Sequence, residues 1–169
     1  MRRLRASAVW PRLTFVWVGR GSQEGQLRAA VERLGVQDRA RFLGERPDVV
    51  DILDAADIFA LPSEYEGMPL SVMEAMARGK PVVATAVSGI PEELGDTGRL
   101  LPDPTVDAAT VVDSLVQTLE IWAGDEGLRR VVGEKGRQRA ATLFTEERMV
   151  AEYRALIQSA LQTAATGRE

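Results

Sequence analysis

At 169 residues and 45% hydrophobic content, the chain has room for one domain with a sizeable buried core. A net charge of −4 and a pI near 5.1 argue against a nucleic-acid surface, which needs clustered Lys and Arg. The absence of cysteine excludes disulfides, thiolate zinc sites and cysteine nucleophiles, and the absence of histidine removes the commonest general base and metal ligand.

The opening MRRLRASAVW is basic and reads as helical, without the apolar region of a signal peptide. No run approaches the roughly 20 apolar residues of a membrane span, so the expected compartment is the cytoplasm. Short apolar, β-rich runs then alternate with helical periodicity. Strands are expected at Leu13–Val18, Ala40–Leu43, Asp57–Leu61, Pro81–Thr85 and Arg99–Leu101. Several are apolar on both faces, as parallel strands covered by helices on each side must be. The first connecting helix has Ser22 as its expected N-cap, Leu27, Val31 and Leu34 on one stripe, and Gly35 at its C-terminal turn. Asp48 to Ala56 and Leu70 to Arg78 supply the next two helices. After Pro104 the pattern is wholly helical, with one stripe at Ala108, Val112, Leu115, Leu119 and Trp122. A second runs through Met149, Tyr153, Leu156 and Ala160, with Thr145 as N-cap. Thr163 to Glu169 reads as a frayed tail. The expected fold class is α/β: a doubly wound parallel sheet in one domain, closed by C-terminal helices.

The most informative stretch is PSEYEGMPLSVMEAMARGKPVVATAVSGIPEEL, where Glu66 and Glu74 stand seven residues apart around Gly67-Met68-Pro69-Leu70. Here a strand turns into a helix, and Pro69 suits the first helical position because its missing N–H has no intrahelical partner there. The free N–H groups and the helix dipole make an anion site at that N-terminus. Two acceptor-only carboxylates beside it suit the donor hydroxyls of a sugar or ribose. A phosphate between two hydroxyl-rich groups describes a nucleotide-sugar. The small and apolar neighbours of Glu74 predict a mostly buried helix, on which a lone carboxylate needs partners.

This block resembles the retaining GT-B glycosyltransferases of family 4: the two spaced glutamates, EAMARGKPVV and a glycine–glutamate turn fall in register. FVWVGRGSQEGQL, RARFLGERPDV, DAADIFALPSEYEG and FTEERMVAEYRAL extend the likeness from about Leu13 to Tyr153. Ser88 departs from it, standing where the family usually has the first of two glycines, and Pro69 stands for another glycine. The resemblance implies a Rossmann-like, nucleotide-sugar-binding C-terminal domain with no cofactor and no metal. It implies that Glu74 holds the ribose hydroxyls and that Glu66, at the reacting centre, touches the donor sugar. Gly67, Met68, Pro69 and Leu70 would cradle the diphosphate.

Other positions keep two readings. Gly19 and Gly21 are either donor contacts or a simple βα turn needing positive φ. Glu45 and Arg46 either offer their backbone to the nucleobase or form a surface pair after an αL Gly44. Gly89, in the turn Ser88 to Glu93, either lies near the donor sugar or opens a helix whose Glu92 and Glu93 complement the dipole. Ser63 is expected as a turn or capping residue and the three tryptophans as core or interface. Asp51, Asp54 and Asp57 are expected in solvated or capping roles rather than as metal ligands.

The resemblance further implies segments not in this sequence: the domain's first strand, the basic pair that neutralises the diphosphate, and an N-terminal acceptor domain. The expected partners are therefore a nucleotide-sugar and that acceptor domain or a partner chain carrying it, with peripheral membrane contact possible through the missing domain. In the doubly wound order the first strand lies between Leu13–Val18 and Asp57–Leu61. These two are accordingly expected to pair directly in a five-stranded sheet, the alternatives being that the residues before Pro11 fill the gap or that a second polypeptide supplies the strand. Two other functions stay open. One is a non-catalytic binding or scaffold subunit docking through Leu156, Ala160 and Ala164; the other is a sugar-nucleotide epimerase.

Overall fold

The computed structural model describes residues 1–166. All five strands lie within the expected windows, trimmed at their ends. They are β1 (Phe15–Trp17), β2 (Ala40–Phe42), β3 (Phe59–Leu61), β4 (Val82–Thr85) and β5 (Arg99–Leu101). Seven helices connect and close them among the described residues: α1 (Glu24–Leu34), α2 (Val49–Ala55), α3 (Leu70–Ala77), α4 (Ile90–Leu94), α5 (Pro104–Gly124), α6 (Glu126–Leu143) and α7 (Glu146–Thr166). Every strand pair is parallel, and α-helical crossovers run between them, so the α/β class holds.

The expected strand order does not hold. β1 pairs only with β2, Phe15 opposite Ala40, and β3-β4-β5 form a separate sheet with Phe59 opposite Val82 and Val83 opposite Arg99. β1 and β3 do not pair among the described residues. Each of these strands is only three residues long. Direct pairing would therefore add few ladder bonds, each worth about 1 kcal/mol net. The residues before Pro11 add no strand either. They form 3-10 turns at Arg3–Ala6 and Trp10–Arg12, with Leu4 fully buried. Arg5 donates from Nη1 to the Leu34 carbonyl at 2.8 Å and Arg3 pairs with Asp113, so this segment ties α1 to α5.

The core sits around β4, whose four residues are all buried. On one side Leu53, Val72, Ala75, Met76, Ile90 and Leu94 pack together; on the other, Val83, Leu101, Val111 and Trp122 do. The seam between α3 and α6 is built on glycines: a Cβ at Gly133 would lie 1.9 Å from the Gly79 carbonyl oxygen, and one at Gly136 would lie 3.6 Å from Met76.

Several helix details differ from expectation. The N-cap of α1 is Gln23 rather than Ser22, with no side-chain bond, whereas Gly35 does take the left-handed conformation, φ 63°. In α5 the stripe starts at Val111, leaving Ala108 and Val112 exposed, because Asp107 breaks the helix (φ −154°, ψ 92°) and shifts its phase. The Asp107 carboxylate accepts from Ala109 and Thr110 N–H and so caps the second segment. Thr145 caps α7 as expected, accepting from Arg148 N–H at 3.2 Å. That helix runs through Thr166, past the expected start of the tail; 167–169 and the Ala164 side chain lie outside the described residues. Its stripe, Met149, Tyr153, Leu156 and Ala160, is exposed rather than packed.

Candidate functional site

In each parallel sheet the carboxyl ends of the strands share one edge, and the expected site residues fall on the loops at these two edges, in two groups. The first follows β3 and β4. From Leu61 the chain turns through Ser63 and Glu66 to α3, and from Thr85 through Ser88 and Gly89 to α4. A main-chain bond joins the two loops: Gly89 N–H donates to the Gly67 carbonyl at 2.9 Å. A Cβ on Gly89 would lie 2.9 Å from that same oxygen, so this glycine is required by the contact. Gly67 itself is different. Its φ is ordinary and nothing lies within 4 Å of the place a Cβ would take, so the fold alone does not demand glycine there.

Glu66 is half-buried and held by its neighbour: Ser63 Oγ donates to Glu66 Oε1 at 2.7 Å. Ser63 is in turn fixed by Thr85, whose Oγ1 donates to the Ser63 carbonyl at 2.6 Å. Ser63 is thus a positioning residue as well as a turn residue, and the buried Thr85 is a second one that its sequence context, a strand end, does not single out.

Pro69 occupies the N-cap (φ −72°, ψ 112°), one residue ahead of its expected place, and α3 opens at Leu70 with no side-chain cap. The leading N–H groups of the helix therefore stay open to a ligand. The expectation that α3 is mostly buried fails at Glu74. Val72, Ala75 and Met76 face the core, while Glu74 is exposed and makes no hydrogen bond or ion pair through its side chain among the described residues. An eight-residue helix on the sheet buries one stripe, and position 74 lies off it.

Ser88 has φ 50°, the sole left-handed non-glycine among the described residues. The turn geometry that suits glycine is kept with serine in place, at a strain of about 1 kcal/mol. One turn further, Glu93 is completely buried with both carboxylate oxygens unpartnered. Burial, reinforced by the nearby Glu66 charge, raises its pKa from 4.5 to about 7. The expectation of a dipole-complementing surface residue does not describe Glu93, although Glu92 is exposed and fits it. Nothing in the order of residues distinguishes these two adjacent glutamates; only the helix phase does.

The second group follows β1 and β2. Gly19, with φ 108°, donates its N–H to the Gly44 carbonyl at 2.7 Å, and Gly44 is itself left-handed, φ 66°. Gly21 has ordinary φ and open space around it. Arg46 pairs with Asp48 rather than with Glu45, Nε donating to Oδ1 at 2.7 Å, and that hydrogen bond keeps the Asp48 carboxyl below its usual range. Both Glu45 and Arg46 are exposed. Of the acidic triplet, Asp54 pairs with Arg78 and Asp57 with Arg129 at 3.5 Å. The whole edge is open. Two shallow depressions, about 250 Å³ between α3 and α6 and about 530 Å³ on α1, are not lined by Glu66, Gly67 or Gly89.

Residues 1–120 match the model of a family described as glycosyl transferases group 1. The N-acetyl-alpha-D-glucosaminyl L-malate synthase of Bacillus anthracis is 35% identical over 153 residues, covering 89% of this chain and 39% of that protein. The sucrose-phosphate synthase of Thermosynechococcus elongatus superposes with a TM-score of 0.75 at 27% identity, over 88% of this chain and 38% of that one. HepE of Anabaena, solved in complex with UDP-glucose, gives 0.70 at 26%, over 90% and 42%. The chain spans about two-fifths of the length of the relatives it matches. With its parallel sheets, flanking helices and matched residues, the chain belongs to the group 1 glycosyl transferases and carries their GT-B, Rossmann-like fold.

Proposed function

We propose that this chain is the donor-binding domain of a retaining glycosyltransferase that moves a sugar from a nucleoside diphosphate sugar to an acceptor. Gly67 carries the reading. It stands at an uncapped helix N-terminus, between Glu66 and Glu74, where neither backbone conformation nor packing requires glycine. A ligand approaching the backbone closely at this helix N-terminus accounts for the missing side chain. Gly67, Met68, Pro69 and Leu70 then receive the diphosphate, and the helix dipole favours its charge. Glu74, exposed and without a partner, accepts from the ribose hydroxyls; Glu66, oriented by Ser63, accepts from the donor sugar beside the reacting carbon. The backbone at Glu45 and Arg46 meets the nucleobase, with Gly19, Gly21 and Gly89 lining the same edge. The complex of HepE with UDP-glucose supports this class of ligand.

The reaction implied is front-face displacement without metal, in the cytoplasm: the departing phosphate accepts the acceptor's proton as the new glycosidic bond forms. Positive electrostatics at the diphosphate lower that barrier. An acceptor must be held about 3–3.5 Å from the donor carbon. An acceptor domain, preceding this segment or on a partner chain, would do so and would close the open edge. The isolated chain is therefore expected to bind nucleotide and not to transfer sugar.

Calorimetry with UDP and UDP-glucose tests the assignment. Glu74→Ala should weaken both ligands by about 1–3 kcal/mol, the loss expected when hydroxyls are left unpaired. Glu66→Ala should leave UDP nearly unchanged and weaken UDP-glucose. Unaltered affinity of the Glu74 variant, or equal losses for both ligands in the Glu66 variant, refutes these roles.

One observation favours a second reading, a scaffold subunit that binds nucleotide-sugar beside a separate catalytic chain. Along α7, Met149, Tyr153, Leu156, Ile157 and Leu161 are all more than half exposed. A chain that binds UDP-glucose yet restores no transfer when mixed with an acceptor-domain polypeptide would select it.

A further inference from the structure

Glu93 is the one side chain among the described residues whose polar atoms are buried without any partner. An unpaired buried carboxylate is destabilising by several kcal/mol, so this group exists in the folded chain as a neutral acid or at continuing expense. Its place is informative. Glu93 N–H donates to the Gly89 carbonyl at 3.0 Å, and Gly89 N–H donates to the Gly67 carbonyl, so Glu93 hangs one helical turn behind the loops that frame the candidate site.

The elements around α4 offer few charges. β4 contributes only Val82, Val83, Ala84 and Thr85, and β5 carries the exposed Arg99. α3 carries the exposed Glu74, and the loop before it carries Glu66. From α6, Arg139 approaches, but its guanidinium is committed to main chain, Nε to the Glu93 carbonyl and Nη2 to the Glu92 carbonyl, both at 2.7 Å. Glu66 is left as the charge that acts on the Glu93 carboxyl, and it acts against ionisation.

We propose that Glu93 is a positioning residue that makes donor binding proton-linked: its buried carboxyl is only partly protonated near neutral pH, and an anionic nucleotide at Gly67 to Leu70 brings it fully to the neutral acid. The proton comes from solvent, and the buried group behind Glu66 becomes neutral. A second negative charge at the site disfavours the ionised form of Glu93 for the same reason Glu66 does. The inference rests on the donor-site reading above and adds to it where the charge balance is struck.

The test is UDP titrated into the chain at a pH of about 7, by calorimetry in two buffers of different ionisation enthalpy. A group with pKa about 7 is half protonated there, and a rise of about one unit on binding adds about 0.4 proton per nucleotide. Wild type should take up that much more than Glu93→Gln; the proton behaviour of UDP itself is common to both and cancels. A second measurement needs no ligand: the Glu93 carboxyl-carbon resonance should titrate near 7, and Glu66→Gln should lower that midpoint. Binding with equal proton uptake in both forms overturns the linkage alone, as does a midpoint indifferent to Glu66→Gln. Failure of UDP to bind either form overturns the donor-site reading and this inference with it.

Discussion

The two sheets of this molecule hold the two halves of its candidate site in unlike ways. β4 is buried along its whole length, flanked by strands on both sides and by two clusters of apolar side chains. The β1–β2 pair has no fully buried residue in either strand. Its cohesion comes from rings: Trp10, Phe15, Trp17 and Phe42 follow one another, Trp17 stacks on Phe42 at 4.8 Å, and Arg28 lies 4.4 Å over the Phe42 ring. The same kind of loop thus projects from a core on one side and from a half-exposed aromatic stack on the other. Glu66, Gly67 and Gly89, proposed above to face the donor's diphosphate and sugar, are expected to be fixed before ligand arrives, and Gly19, Glu45 and Arg46, proposed to line the nucleobase, to gain order from it.

The largest effect that could break this comparison is a core truncation. Met76→Ala should destabilise by about 2–5 kcal/mol, since Met76 is fully buried, beside Gly136 of α6. Trp17→Ala, removing a half-buried ring and one stacked contact, should lose about 1–2 kcal/mol. Denaturant melts of both variants decide, and a greater loss from Trp17→Ala would reverse the ranking of the two halves. Amide exchange sharpens it: protection should be higher at Val82 to Thr85 than at Phe15 to Trp17.

A smaller effect is pH-dependent. Because the folded-state pKa of Glu93 is raised from 4.5 to about 7, the folded chain binds more protons than the unfolded one between those values. The contribution to stability is present in full below about 4.5 and is lost as pH rises through about 7. Glu93→Gln should flatten that decline, read as the midpoint of chemical unfolding across the interval; an unchanged slope would assign the decline to other groups. The smallest expected effect is at Ser88. Ser88→Gly relieves a left-handed residue but frees the unfolded chain, for a net gain of no more than about 1 kcal/mol. A loss of stability would mean that the serine side chain holds the turn.

Much of this was legible in the residues. All five strands were, because apolar β-branched runs between turn signals leave few alternatives. So was the loop pair at Gly67 and Gly89, through the motif. What stayed hidden depends on phase and on contacts distant in sequence. Glu74, on a helix expected to be mostly buried, is exposed, and Glu93, for which the sequence leaves a dipole-complementing and a donor-side reading open, is sealed. Each sits on a helix of no more than eight residues, where a shift of one position exchanges faces. The division into two sheets was hidden because strand windows do not report which strands meet. The exposure of the α7 stripe lies beyond periodicity, which shows that a helix has an apolar side and not whether this chain covers it.

Gly133 sets a limit on how far the C-terminal helices can drift over evolutionary time. Around it α6 carries mostly polar, exposed positions that many residues could fill, and the Glu134–Arg137 pair on its surface is replaceable. At Gly133 alone the helix rests directly on the main chain at Gly79, with no volume for a methyl group. In a saturation library, α6 should therefore read as a tolerant sequence interrupted by one nearly forbidden column. That column records the fit of α6 to the turn between α3 and β4, the turn on which the helix bearing Glu74 ends.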